Sequence, residues 1–221
     1  MEIAMMGPEI GKSALIIVDM QNDFVHSEGG FAHRARNPAA GIDMPFLMGT
    51  IPHVRRLADA FREAGRPVVY IAHMVKPDYS DAQFPYWRLG LPTGGNRTFV
   101  VEGTWGAQIV DDLEPREGEH LVVKKGFGGF SNTPLDTILR NMGVTTCVVS
   151  GVVTPTCVSS TVRGGVEHNY RMIVVRDAVA DRNRETHEAE LKILSRAFAD
   201  VKTTDEVVAM LACVTAAAPQ R

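Results

Sequence analysis

The chain has 221 residues, of which 45% are hydrophobic and 22% charged, and its formal net charge is −3. These values are typical of one globular domain, so residues 1–221 are expected to form a single domain, and the absence of a basic patch argues against nucleic acid or an anionic membrane as a partner. The sequence has no apolar run of membrane-spanning length and no secretory signal in Met1–Lys12, and its three widely spaced cysteines argue against disulfides, which together predict a cytoplasmic protein.

Strands and helices alternate along the chain. Apolar runs rich in β-branched residues predict strands at Ala14–Val18, Val68–Ala72, His120–Val123, Val144–Ser150 and Met172–Val175, with a short one near Val201. Helical spacing of apolar residues predicts helices at Ile51–Phe61, Ala107–Leu113, Leu135–Leu139, Cys157–Asn169, Thr186–Phe198 and Asp205–Cys213. This order predicts an α/β fold of three layers, α-β-α, around an open, mostly parallel six-stranded sheet.

One long segment, Lys76–Gly103, has no clear periodicity but carries several aromatic residues, among them Tyr79, Phe84, Tyr86 and Trp87. Loops of that length inside a domain are usually functional, so the segment is expected to be either a lid or a subunit contact.

Three reactive residues directly follow predicted strands: Asp19, Lys124 and Cys157. Because parallel strands end at the same edge of a sheet, these side chains are expected to meet there, near the point where the strand order reverses. Cys157 is also expected in the first turn of a helix, where the helix dipole favours a thiolate.

These three side chains allow acyl transfer. Cys157 would be the nucleophile, Asp19 would act as general base and then general acid, and the charge of Lys124 would stabilise both anions. The backbone N–H groups of the turn before Cys157 could receive the developing oxyanion. The sequence shows no histidine at a matching position for a Cys–His pair, no phosphate-binding loop and no C-x-x-C motif.

Three motifs closely resemble the isochorismatase-like cysteine hydrolases: Asp19-Met20-Gln21-Asn22-Asp23-Phe24, then Lys124 followed by Phe130, Thr133 and Leu135, then Gly151-Val152-Val153-Thr154 followed by Cys157 and Val158. The catalytic aspartate, lysine and cysteine of the family correspond to Asp19, Lys124 and Cys157. The resemblance therefore implies a catalytic role for these three residues. It also implies a cis peptide between Val152 and Val153, and an oxyanion hole formed by the amides of Val153 and Cys157.

The chain departs from the family in informative places. It has Gly128-Gly129-Phe130 where many members have Ser-Ala-Phe, which puts hydrogen bonding near Lys124 in question. It lacks the Asp-x-His metal cluster of the nicotinamidases, since Asp43 and His53 are not so spaced, and therefore no metal and no cofactor are expected. Isochorismatases that cleave a vinyl ether lack the cysteine, so Cys157 favours a C–N bond.

Two further stretches, Gly103–Gly106 and Phe130–Leu139, resemble the ureidoacrylate amidohydrolase branch of the family. This implies a small N-carbamoyl substrate, and the family resemblance with the aromatic segment suggests a homo-oligomer, a dimer or tetramer. The expected function is a cofactor-independent cysteine hydrolase that cleaves an amide or ureido bond through a thioester. The alternatives are an ether or ester hydrolase, a nicotinamidase-like amidase, and a binding or regulatory protein that retains the fold.

Residues near the predicted strand ends are candidates for the substrate pocket: Phe24, His73 and Phe127. Trp105 is a fourth candidate, in a loop that is expected to reach over the pocket. A substrate carboxylate would need a cation, and the candidates in the loops are Arg34, Arg36, Arg88 and Arg97.

Overall fold

The computed structural model describes residues 9–83 and 99–217. This part of the chain contains one sheet of six strands in the order β3-β2-β1-β4-β5-β6, and every neighbouring pair is parallel. The strands are β1 Ser13–Val18, β2 Val68–His73, β3 His120–Lys124, β4 Thr146–Val152, β5 Arg171–Ala180 and β6 Asp200–Lys202. The predicted fold class is confirmed.

Eight α-helices surround this sheet in the described residues. They are α1 Asn22–Val25, α2 Gly30–Ala35, α3 Met44–Met48, α4 Ile51–Glu63, α5 Leu135–Asn141, α6 Ser159–Glu167, α7 Arg184–Ala197 and α8 Thr204–Ala217. The apolar faces of α4 and α8 contribute to one core cluster, and those of α5, α6 and α7 to a second cluster on the opposite face of the sheet. None of the helices in the described part of the chain is long and apolar enough to cross a membrane.

The composition of the central strands matches their position in the middle of the sheet. Every residue of β1, β2 and β4 is buried, because helices cover both faces of the sheet and leave no place for alternating polar residues. Alternate residues of β1 serve the two cores: Leu15 and Ile17 face one, and Ala14 and Ile16 face the other. The sequence therefore shows continuous apolar runs where an exposed sheet would show alternation.

The strand order reverses between β1 and β4, since β2 and β3 extend the sheet on one side and β5 and β6 on the other. Gly151 pairs with Val18 at this point and has a φ of 108°, in the region that favours glycine. A Cβ at Gly151 would lie 2.0 Å from the carbonyl oxygen of Val18. Glycine thus lets the ends of β1 and β4 approach closely, where a crevice opens at their carboxyl ends.

Three predicted elements differ in the structure. The segment Ala107–Leu113 is not one helix, because its backbone pairs with the segment after β1 through a bridge between Gln21 and Ile109. The helix expected over Cys157–Asn169 divides into a π-helical turn, Thr154–Val158, and α6. The fifth strand, predicted as Met172–Val175, continues to Ala180, because an irregularity opposite Val149–Gly151 lets the ladder resume. The central part of the Lys76–Gly103 segment, residues 84–98, lies outside the described residues, as do Arg88 and Arg97.

Candidate active site

The structure brings Asp19, Lys124 and Cys157 together at the carboxyl edge of the sheet. The Nζ atom of Lys124 lies 2.8 Å from Oδ2 of Asp19 and 3.3 Å from Sγ of Cys157. It also donates to the carbonyl oxygen of Gly126 at 3.1 Å. The side chains of Asp19 and Lys124 are completely buried, and Cys157 is 4% exposed. An ammonium group therefore stands between a carboxylate and a thiol.

Local backbone structure explains how these residues meet. Asp19 directly follows β1 and has a φ of 52°, which turns the chain away from the strand direction; aspartate tolerates this left-handed region better than most residues. Lys124 is the last residue of β3, two strands away from β1, and only a long side chain can cross that distance. Cys157 lies in the π-helical turn that follows β4.

Burial controls the proton affinities in this cluster. Burial raises the pKa of Asp19, and the charge of Lys124 offsets only part of that effect. Burial disfavours the Lys124 ammonium, but Asp19 and Cys157 outweigh it, so the pKa of Lys124 is raised and the amine stays charged. Burial also raises the pKa of the Cys157 thiol to about 12, and the negative charge of Asp19 acts in the same direction. The charged Lys124 therefore lies beside the Asp19 carboxyl group and a protonated thiol.

This protonated thiol differs from the thiolate that the helix position of Cys157 led us to expect. Desolvation is the largest influence on the thiol, and the neighbouring carboxylate opposes a second negative charge more than Lys124 favours one. The carboxyl group of Asp19 is adjacent to this thiol.

The turn that carries Cys157 has several fixed points. The peptide bond between Val152 and Val153 is cis. The carbonyl oxygen of Cys157 accepts a hydrogen bond of 2.7 Å from Thr161, and the Thr161 hydroxyl accepts one of 2.9 Å from the Gly129 amide. This second bond links the loop after Lys124 to α6. A Cβ at Gly129 would lie 2.4 Å from Ile71 Cδ1, so an alanine at this position would require Ile71 to move.

The motif that begins at Asp19 also organises the surrounding backbone. The amide of Gln21 accepts from the backbone N–H of His73 at 2.8 Å and donates to the carbonyls of His73 and Ala107 at 2.9 and 2.8 Å. Gln21 thereby fixes the end of β2 beside the cluster. The sequence signal was present in the motif, but sequence reasoning assigned no role to Gln21.

Asp23 joins two further segments to this framework. Its carboxylate accepts hydrogen bonds from the backbone N–H groups of Gly30 at 3.0 Å and Val100 at 2.6 Å. Burial raises the pKa of Asp23, and these two bonds offset part of the shift. Because Phe31 follows Gly30 and Phe99 precedes Val100, Asp23 sets the positions of two aromatic side chains.

A cavity opens above Cys157. Among the described residues it is lined by Phe24, Phe31, Arg34, His73, Phe99, Phe127, Val153, Thr156, Cys157 and Arg182. Three of the four predicted pocket residues, Phe24, His73 and Phe127, are in this set. Trp105 is not: it is 45% exposed, and its ring makes an edge contact with His26 at 4.8 Å. Its backbone carbonyl accepts from Asn22, which holds the residue at the surface instead.

Two arginines stand on the cavity wall. Burial lowers the pKa of Arg34, and the charge of Arg182 lowers it further, so two guanidinium groups influence each other there. Arg36, by contrast, is 69% exposed and lies 3.9 Å from Glu28. Sequence reasoning missed Arg182 because it ended the fifth strand too early; once β5 runs to Ala180, Arg182 follows its carboxyl end.

The donor set does not favour a metal ion. One ligand atom each of Asp19, His73 and Cys157 lie within 4.8 Å of one another. The ammonium of Lys124 already lies between Asp19 and Cys157, and a dication would have to share that space with it. Asp43 and His53 are engaged elsewhere: Asp43 caps α3 and pairs with Arg184, and His53 lies 3.5 Å from Asp177.

The fold and this site define an α/β protein with a buried Asp–Lys–Cys cluster at the switch point of a parallel sheet. The isochorismatase domain family matches residues 13–206, and the chain belongs to that family. Its relatives include the ureidoacrylate amidohydrolases RutB of Methylobacterium radiotolerans, 36% identical over 86% of this chain and 72% of that protein, and of Agrobacterium fabrum, 34% identical over 76% and 75%.

Similar solved structures share the same architecture. A cysteine hydrolase from Pseudomonas syringae pv. phaseolicola superposes with a TM-score of 0.80 at 26% identity, covering 94% of this chain and 96% of that one. The N-carbamoylsarcosine amidase from Thermoplasma acidophilum superposes with a TM-score of 0.70 at 32% identity, covering 88% and 97%. The protein is thus a hydrolase of the isochorismatase family.

Proposed function

We propose that this protein is an amidohydrolase that cleaves the C–N bond of a small ureido acid, with Cys157 as nucleophile and without a cofactor. The observation that carries the proposal is the buried Asp19–Lys124–Cys157 cluster at the base of a cavity that also presents two arginines. The relatives named as ureidoacrylate amidohydrolases and the structural neighbour named as an N-carbamoylsarcosine amidase support a ureido substrate with a carboxylate.

In the first half-reaction, Sγ of Cys157 attacks the ureido carbonyl carbon while its proton passes to Asp19. The oxyanion is received by the backbone N–H groups of Val153 and Cys157, in the turn that follows the cis peptide. The C–N bond then breaks, and Asp19 returns the proton to the leaving nitrogen. The products are an amine and a carbamoyl thioester on Cys157.

In the second half-reaction, water attacks the thioester carbon. Asp19 takes a proton from the water and returns it to Sγ as the C–S bond breaks, which releases carbamate and restores the thiol. Carbamate decomposes to ammonia and carbon dioxide. Lys124 keeps its charge throughout, and its position between Asp19 and Sγ stabilises whichever of them is the anion at each stage.

The cavity wall supports the choice of substrate. Arg34 and Arg182 would hold the substrate carboxylate, since two guanidinium groups offer paired donors to a planar anion. The aromatic rings of Phe24, Phe31 and Phe99 contact one another and would exclude water from the ureido group. A neutral His73 suits this apolar setting, because burial, and then the charge of Lys124, holds its pKa well below the usual value.

The test is ammonia release from ureidoacrylate and from N-carbamoylsarcosine. Cys157→Ala should lose activity at least 10³-fold, whereas Cys213→Ala, at an exposed cysteine in α8, should retain it. Arg182→Gln should raise KM on ureidoacrylate by roughly 10-fold or more, and Arg36→Gln, at the exposed arginine, should not. A fully active Cys157→Ala variant would refute the mechanism, and an unchanged KM in Arg182→Gln would refute the carboxylate site.

The proposal includes a homo-oligomer, a dimer or tetramer, that works in the cytoplasm. Light scattering coupled to gel filtration measures the first, and fractionation of the source cells measures the second.

A further inference from the structure

Two side chains of α7 form hydrogen bonds with the segment that carries Cys157, one at each end of that segment. Nδ1 of His187 lies 2.9 Å from Oγ1 of Thr154, the first residue of the π-helical turn. Oε1 of Glu190 accepts a hydrogen bond of 2.6 Å from Ser159, the residue directly after that turn. We refer to His187 and Glu190, with Thr154 and Ser159, as the α7 clamp.

Three of the four clamp residues are buried, and the helix that carries the clamp is capped. Thr154 is fully buried, and Ser159 and His187 are each 3% exposed. A polar atom left without its partner in such a place is strongly penalised, so the two bonds fix a specific arrangement. Asn183 caps α7 by accepting from the backbone N–H groups of Glu185 and Thr186, which fixes the helix one turn before His187.

Further contacts hold each half of the clamp. The His187 ring makes an edge contact with Phe46 at 5.0 Å. Glu190 also pairs with Arg163 of α6 at 2.8 Å, and Arg163 donates to Ser159 at 3.1 Å. His187 and Glu190 are three positions apart on α7, so they lie on the same face of that helix.

We propose that His187 and Glu190 are positioning residues for the hydrolytic reaction, which fix Sγ of Cys157 and the amide of Val153 relative to the bound carbonyl. The inference rests on the proposed function of Cys157 as nucleophile. Neither His187 nor Glu190 is among the described residues that line the cavity, so the proposal gives them no direct contact with the substrate. They act through Thr154 and Ser159, which bracket Cys157 in the sequence.

A positioning role makes a distinct kinetic prediction. The arginines proposed to bind the carboxylate lie outside the clamp, so loss of the clamp should leave KM within about twofold. A shift of about 1 Å in a reacting atom lowers rates by up to about 10²-fold, so kcat should fall by roughly 10-fold or more. A residue important only for folding would instead lower the concentration of active protein and leave both constants of the remaining enzyme unchanged.

The experiment uses Thr154→Val, which keeps the shape and removes the hydroxyl, and Thr154→Ser, which keeps the hydroxyl. His187→Leu and His187→Asn form the second pair, since asparagine retains a polar atom near the position of Nδ1. The matched control is Thr204→Val, because Thr204 is also buried and its hydroxyl donates to Asp177 at 2.9 Å, in a different part of the fold. Ser159→Ala tests the other end of the clamp.

Two readouts are compared: kcat and KM for ureidoacrylate, and the rate of acylation of Cys157 by p-nitrophenyl acetate, followed by mass spectrometry. We expect Thr154→Val and His187→Leu to lower kcat and the acylation rate, the double variant to be no worse than the poorer single variant, and Thr154→Ser and His187→Asn to recover most of the rate. In ¹⁵N-histidine spectra, Thr154→Val should shift the Nδ1 resonance of His187 and Thr204→Val should not.

The outcomes separate the two proposals. If ureidoacrylate is not hydrolysed but Thr154→Val slows acylation by the ester, the substrate proposal fails and the clamp stands. If ureidoacrylate is hydrolysed and Thr154→Val changes kcat by less than twofold, or no more than Thr204→Val does, the clamp is refuted and the function stands. If Thr154→Val does not fold, Ser159→Ala and His187→Asn decide by the same criteria. A wild-type protein whose Cys157 reacts with neither compound would refute both.

Discussion

Replacement of Lys124 by methionine tests whether Asp19 and Lys124 form an ion pair in the folded protein. In the wild type, Nζ of Lys124 lies 2.8 Å from the Asp19 carboxylate, and both side chains are completely buried. Lys124→Met nearly preserves the volume but leaves that carboxylate without its partner. Removing one member of a buried pair costs about 3–5 kcal/mol. Asp19→Asn in the same chain removes the uncompensated charge, so the double variant should regain about 2 kcal/mol or more of that loss.

The stability of the single variant Lys124→Met should also depend on pH. Without Lys124, burial raises the pKa of Asp19 with no cation to offset it, and only hydrogen bonds to Cys157 and His73 act in the opposite direction, so the folded pKa should lie above the unfolded value near 3.9. Between those two values the folded chain holds one proton more than the unfolded chain, and stability falls by about 1.4 kcal/mol per pH unit as the pH rises. The deficit of Lys124→Met relative to wild type should therefore be smaller at pH 5 than at pH 8.

Guanidinium denaturation at both pH values measures these differences, with Lys125→Met as the control. Lys125 pairs with Asp81 at 2.8 Å near the surface, so its loss should change stability by about 1 kcal/mol or less at either pH. Both Lys124→Met and the double variant should be catalytically inactive. A deficit that is the same at pH 5 and pH 8, and that Asp19→Asn does not relieve, would show that the cluster is not charged in the folded protein.

Three further variants or conditions probe the framework of the site. Burial lowers the pKa values of His73 and His187. Below pH 6.5 the unfolded chain therefore takes up protons that the folded chain rejects, so stability should fall as the pH falls, by up to about 1.4 kcal/mol per pH unit for each histidine until its folded pKa is reached. His187→Asn should reduce this slope in urea denaturation. Gly151→Ala should destabilise the protein by about 3 kcal/mol or more, because the Cβ of the alanine would meet the carbonyl oxygen of Val18. Urea denaturation measures this change, and a loss of stability below about 1 kcal/mol would contradict the close approach of the two strands. Asp23→Asn should raise KM for ureidoacrylate more than it lowers kcat. The reason is that an amide oxygen can replace only one of the two carboxylate oxygens that accept from Gly30 and Val100, the neighbours of Phe31 and Phe99. An effect on kcat alone would contradict this role of Asp23.

Sequence reasoning could predict what depends on local composition. Continuous apolar runs identified the buried strands, and their alternation with helical patterns identified a parallel sheet. Because parallel strands share an edge, the positions of Asp19, Lys124 and Cys157 at strand ends were enough to place them together. The order of the strands adds the reason for their contact: β1 and β4 are neighbours at the switch point, and Lys124 reaches across from β3.

The features that sequence reasoning missed depend on contacts between distant segments. Arg182 belongs to the cavity because β5 continues past its irregularity, which a hydrophobic pattern that stops at Val175 does not reveal. Trp105 was expected to reach over the pocket, but Asn22 binds its carbonyl and holds it beside His26. Both outcomes depend on hydrogen bonds between residues far apart in the sequence, for which a single sequence contains no signal.

The protonation state of Cys157 depends on the relative size of two opposing effects, the helix dipole and burial. Placement near a helix N-terminus favours a thiolate by about 0.3–1 kcal/mol, and by no more than about 2. Burial, reinforced by Asp19, raises the thiol pKa from 9.0 to about 12, which corresponds to about 4 kcal/mol in the opposite direction. Burial therefore prevails, and the resting thiol of Cys157 keeps its proton. Under the proposed mechanism, nucleophilic attack must then be coupled to proton transfer, and Asp19 would take part in bond formation. The exact position of Sγ would also be decisive, because an uncharged thiol must approach the carbonyl carbon and the Asp19 carboxylate at the same time.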